Sequence, residues 1–166
     1  MVRLSAGGLT VELPQGWEAE IDAGTAGFAD AESGQAVESL PATRADGSVR
    51  HVVAHIANFA LPAGRGDFGS GAIQAMRPGD VFVALFEYEP KSTDAALFKS
   101  RGLPVVAATD FEPAALQKPL PGGSAAQRFF QQAGRAFCLY VVIGSHIDRV
   151  DAAATVAEVV GGIEIT

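Results

Sequence analysis

Cysteine is nearly absent. A single Cys in 166 residues closes no internal disulfide, which fits a reducing compartment. Basic residues are few: 12 Lys and Arg stand against 19 Asp and Glu, for a formal net charge of −7. They form no cluster, so the basic face that neutralises phosphates is missing and nucleic acid is not expected as a partner. No apolar run approaches the roughly 18 residues of a membrane span, so no membrane insertion is expected. Residues 1–8 lack the apolar stretch of a secretory leader, and the expected location is cytoplasmic. Charged residues make up only 19% of the chain and hydrophobic ones 48%, which excludes a disordered chain. No repeat of 20–50 residues and no linker divides the sequence, so 1–166 is expected to be a single domain.

The acidic charge is uneven. Residues 1–46 carry two basic and eight acidic side chains, leaving 10 basic and 11 acidic for the remainder. That bias suits a solvated face, or a docking face for a basic partner.

Alternation reveals the strands. Leu9, Val11 and Leu13 interleave with Thr10 and Glu12, and Trp17, Ala19 and Ile21 with Glu18, Glu20 and Asp22. The Pro14-Gln15-Gly16 turn between them predicts a β-hairpin with one wet face. Residues 51–59 read as a strand. Residues 81–88 and 136–143 are apolar at both parities, which predicts central strands covered on both sides. The second is expected to pair with 125–131 through Ala133-Gly134-Arg135, with Phe129 and Phe130 on opposite faces. Asp46-Gly47 marks a turn after a further strand at 38–43.

One helix is clear at 148–160, where Ala153, Val156, Ala157 and Val160 share a face. Asp148 is expected to cap its start and Gly161 its end. A short strand follows at Ile163 and Ile165. Briefer helices are expected at 71–76 and 94–99. Strands joined mainly by hairpins, with helices in the connections, give an α+β fold: a mostly antiparallel β-sheet flanked by helices.

Several motifs offer chemistry. Gly64-Arg65-Gly66-Asp67-Phe68-Gly69 has the spacing of a dinucleotide loop, with Glu87 and Glu89 about 20 residues on, where a ribose-binding acid belongs. Asp67 would place a carboxylate against the pyrophosphate, and Pro78 stops the following helix early, so no dinucleotide or other cofactor is expected. His51 and His55 on a strand stand about 13 Å apart, too far to share an ion, and His146 is isolated, so no metal is expected. Cys138 lies inside a strand and reads as an inert buried thiol rather than a nucleophile. Ser70 lacks the frame of a nucleophile elbow and is expected to cap a helix. Glu87 and Glu89 lie about 7 Å apart on one face of a strand end. They are the candidate ligand-binding carboxylates should the chain bind a small molecule or hydrolyse one. No catalytic residue is assigned. Arg65, Asp67 and Phe68, in a glycine-rich loop with little apolar company, have the composition of a partner-binding anchor.

The two ends of the chain carry a resemblance. Leu13-Pro14-Gln15-Gly16-Trp17 closes the first strand, and Gly134-Arg135-Ala136-Phe137 opens a late strand that is followed by a helix and a short last strand. This resembles the PsbP-like family of α/β/α sandwiches. The resemblance implies an accessory protein, adaptor or transport factor that acts by binding proteins. The matching positions are core and turn residues, so no functional residue follows from it. The expected function is therefore a non-catalytic protein-binding or adaptor module with a protein partner. The alternatives are a small-molecule-binding protein or hydrolase using residues 62–71 with Glu87 and Glu89, and a homo-oligomeric structural subunit.

Overall fold

The computed structural model describes residues 1–23, 51–66 and 69–166. The strand expected at 38–43, together with Asp67 and Phe68, lies outside the described residues.

Eight strands and two helices are described, in two antiparallel sheets. The smaller sheet has the order β1-β2-β8, with β1 at Val2–Ala6, β2 at Leu9–Leu13 and β8 at Ile163–Ile165. The larger has the order β3-β4-β5-β7-β6: β3 is Glu18–Asp22, β4 Val53–Ala57, β5 Val81–Glu87, β7 Arg135–Ile143 and β6 Ser124–Gln132. Helix α1 is a single turn at Ser70–Ile73, and α2 spans Arg149–Gly161. The fold is thus α+β and mostly antiparallel.

The double-sided apolar pattern does what it implies. Along β5 and β7, Val81, Val83, Leu85, Phe137, Leu139, Val141 and Ile143 enter one core with β2, β8 and the Val156, Val159 and Val160 face of α2. The opposite parity, Phe82, Ala84, Cys138, Tyr140 and Val142, enters a second core with Ile73 and Met76. Phe130 joins the first and Phe129 packs on the second.

Four expectations need correcting. Residues 9–13 and 17–22 do not pair with each other. β2 forms its hairpin with β1 through Gly7-Gly8, both at positive φ (57° and 78°), as a two-residue hairpin turn demands. The other edge of β2 takes β8, so β3 passes to the large sheet and pairs with β4. Asp148 stands at the start of α2 but its side chain caps no N–H, and the C-cap is Gly162 rather than Gly161, which is still the last helical residue. Gly162 is required because a Cβ there would strike the Glu12 carbonyl. The α1 cap position is Gly69, not Ser70, whose hydroxyl instead donates to the Arg65 carbonyl at 3.4 Å. The helix expected at 94–99 is replaced by two 3-10 turns, Pro90–Asp94 and Ala96–Phe98.

Candidate functional site

Glu87 ends β5 on the face of Val81 and Leu85, where it is buried. Its carboxylate accepts two hydrogen bonds from Arg135, from Nε at 2.8 Å and Nη2 at 2.9 Å, and a third from the Val52 N–H at 3.1 Å. The two parallel charge-assisted bonds fix this pair in one geometry, and removing either partner would leave a shielded charge unpaired. Arg135 also donates to the carbonyls of Gly7 and Thr166 and lies 5.2 Å over the Phe137 ring. Arg135 thereby ties the large sheet to the β1–β2 turn and to the residue after β8. Glu89, past the strand end, is exposed and pairs with Lys91 at 2.9 Å, which holds its carboxyl below the usual range. The two carboxylates are therefore directed to different cations and do not converge.

Arg65 is turned inward, with a side chain only 10% exposed. Its Nε donates to His55 Nδ1 at 2.7 Å, Nη1 donates to the Pro62 carbonyl at 2.9 Å, and Nη2 pairs with Glu20 at 2.7 Å. A guanidinium only donates, so His55 Nδ1 is the acceptor in this contact. The glycines around Arg65 are conformational. Gly64, Gly66 and Gly69 all have positive φ, and a Cβ on Gly69 would enter the Phe82 ring. The N–H groups of Gly69, Gly71 and Ala72 bond to the carbonyls of Gly66, Arg65 and Gly69, so these three donors are turned to the chain itself rather than to a phosphate.

His51 and His55 face different neighbours: His51 stacks on Phe86 at 6.2 Å, and His55 meets Arg65 and Phe82. Among the described residues no group of three or more His, Cys, Asp or Glu is arranged to hold a metal. Cys138 is fully buried and its Sγ accepts from Gln127 at 3.4 Å. Burial pushes its thiol up to about 11. The Tyr140 hydroxyl, between the Gln117 N–H at 2.9 Å and the Ala115 carbonyl, is also raised by burial.

Two features escaped the sequence. His146 Nδ1 lies 2.9 Å from the Ser124 hydroxyl. The residues are 22 apart and no local pattern joins them. Ser124 is fully buried, so the pair orders a loop and offers no nucleophile to a substrate. Beside it runs a shallow groove of about 560 Å³, lined by Pro113, Leu116, Pro119, Leu120 and Ile147 and rimmed by His146. Ile147 is 88% exposed. The proline-bearing stretch 113–121 and Ile147 are far apart in sequence, so no local pattern signals the groove. The smaller, polar hollow of about 180 Å³ at Glu20, Asp22, His55 and Arg65 is occupied at its base by the Arg65 contacts.

No helix among the described residues is long and apolar enough to cross a membrane. No family model, no curated protein and no solved structure matches the chain.

Proposed function

We propose that this chain is a non-catalytic protein-binding or adaptor module, working in the cytoplasm and built as a PsbP-like α/β/α sandwich. The observation that carries the reading is the apolar groove of Pro113, Leu116, Leu120 and the nearly fully exposed Ile147. Exposed apolar groups gathered on a rigid rim of prolines are the usual chemistry of a protein contact. The ionisable candidates support the same reading from the other side. Arg65 and Glu87 are held in intramolecular pairs, and Cys138 is shielded. An active site needs convergent groups in a concavity.

A hydrolase using residues 62–71 and Glu87 would first have to separate Glu87 from Arg135, and no observation favours that. A homo-oligomeric subunit would cover the groove with a second copy.

The test is affinity capture from the source cell with the native chain and with Ile147→Asp. A partner retained by the native chain and lost by the variant, at unchanged melting temperature, supports the proposal. Identical captures, or turnover of an ester or phosphoester substrate by the native chain, would overturn it.

A further inference from the structure

One edge of the large sheet, β6, is only partly covered. β6 is the last strand, in unbroken antiparallel register with β7 from Ser124↔Ile143 to Gln132↔Arg135. In such a pair, alternate residues direct their N–H and C=O toward the partner strand or away from it. Ala125 and Gln131 point away. Ala125 exchanges two bonds with Glu112 at 2.9 and 3.1 Å, while Gln131 donates to Ser100 at 2.8 Å and accepts from Gly102 at 2.9 Å. By the same parity Gln127 and Phe129 also point away, and among the described residues no loop bonds their backbone. Two bridges thus bracket one open stretch, about 7 Å long from Gln127 to Phe129.

That opening is not a bare edge. It is a groove of about 450 Å³ lined by Leu97, Pro104 and Val105. Leu97 is 56% and Val105 82% exposed, whereas natural sheet edges are blunted with charge or covered. Lys99 and Arg101 stand exposed at the Gln131 end. Neither has an ion pair among the described residues. Arg128, in the middle, is already paired with Asp110.

We propose that this gap takes an extended peptide segment of another protein as an added strand. The segment bonds the backbone of Gln127 and Phe129, places an apolar side chain between Leu97 and Val105, and carries a carboxylate toward Arg101. Main-chain bonds supply affinity in this mode, and side-chain pockets supply selection. A second copy of this chain is the poorer occupant. Antiparallel self-pairing of Gln127 with Phe129 centres on Arg128 and sets it directly opposite its own copy, each with only its Asp110 to offset it, a poorer match than a carboxylate brought to Lys99 and Arg101, unpaired among the described residues. The inference rests on the reading of the chain as a protein-binding module, but it uses a surface separate from the Ile147 groove.

The test is an NMR titration of the full chain with a capped hexapeptide alternating valine and glutamate. Saturable binding is expected, with amide shifts centred on Gln127, Phe129 and Val105. The lysine-for-glutamate peptide, and a version N-methylated at alternate amides, should each bind at least tenfold more weakly. Gln127→Pro removes an outward N–H without removing a bond to β7, a placement edge strands tolerate, and should weaken binding by a similar factor. Gln127→Ala should not. Val105→Glu, at an exposed position, gives a second variant whose folding is not in question and should also repel the peptide. Absence of saturable shifts at millimolar peptide, or equal binding of the N-methylated version, overturns the proposal. So does a native dimer, seen by sedimentation, that Val105→Glu dissolves. Failure here with an intact Ile147-dependent partner removes only the strand site; failure of both removes the protein-binding reading as well.

Discussion

Arg135 grips both oxygens of Glu87 across 48 positions of sequence, at 2.8 and 2.9 Å, and extends from there to the carbonyls of Gly7 and Thr166. It is the only side chain among the described residues that bonds β5, the β1–β2 turn and the residue after β8 together. Gly8 leaves room for it, since a Cβ there would meet Nη1 at 2.5 Å. Removing one partner strands the other in a shielded site. Arg135→Ala and Glu87→Ala should each cost about 3–5 kcal/mol in urea unfolding. The double variant should cost clearly less than the sum. Additive losses would mean that the two residues act independently.

Cys138 should resist modification and give stability a basic limit. Burial raises its thiol to about 11 in the folded chain, well above an ordinary thiol. The unfolded chain therefore releases the proton first as pH rises. Stability contributed by the buried thiol is complete below about pH 8 and declines between pH 9 and 11, by about 2–3 kcal/mol. Cys138→Ala should flatten that part of the profile, although Tyr88 and Tyr140, raised by burial too, add their own decline at higher pH. Rapid stoichiometric labelling of the native chain at pH 8 would contradict the assignment.

Gly69 should be intolerant of any side chain. It has φ of 73° and abuts the Phe82 ring, so Gly69→Ala combines backbone strain with overpacking. A loss of about 2–4 kcal/mol is expected by chemical denaturation. Gly64→Ala, with positive φ but open space, should cost about 1 kcal/mol. Equal losses would show that the ring contact carries no weight.

The strands of the large sheet were legible where both parities are apolar, as in Val81–Glu87 and Arg135–Ile143, because period-2 hydrophobicity reports burial directly. Which strands pair was less legible. Alternation marks residues 9–13 and 18–22 as strands but does not say that β1 and β8 claim both edges of β2. β1 itself was invisible, since Val2 lies exposed and Leu4 only half-buried. The candidate site was hardest to read. Arg65 looked like a loop-tip anchor because its partners, His55 and Glu20, come from strands 10 and 45 positions away. Glu87 and Glu89 looked like a pair because spacing along a strand cannot show that Arg135 claims only the first.

Arg65 should prove a fold-stabilising residue. It donates to His55 and Pro62 and pairs with Glu20 from a nearly buried position. Arg65→Ala should lower unfolding free energy by about 2 kcal/mol or more. Arg65→Lys should recover little, because an ammonium lacks the planar fork that reaches acceptors in several directions. Unchanged melting in Arg65→Ala would return this residue to the surface.

The central claim is that the chain works by docking a protein on exposed apolar surface. In-cell photocrosslinking tests it most directly, with a benzoylphenylalanine placed at Ile147, 88% exposed in the groove, and a control at exposed Glu158 on α2. The account predicts a discrete adduct of higher mass from position 147, lost when Leu116→Asp is added and absent from position 158. Indistinguishable patterns from the two positions, or an adduct whose mass is twice that of the chain alone, would contradict it.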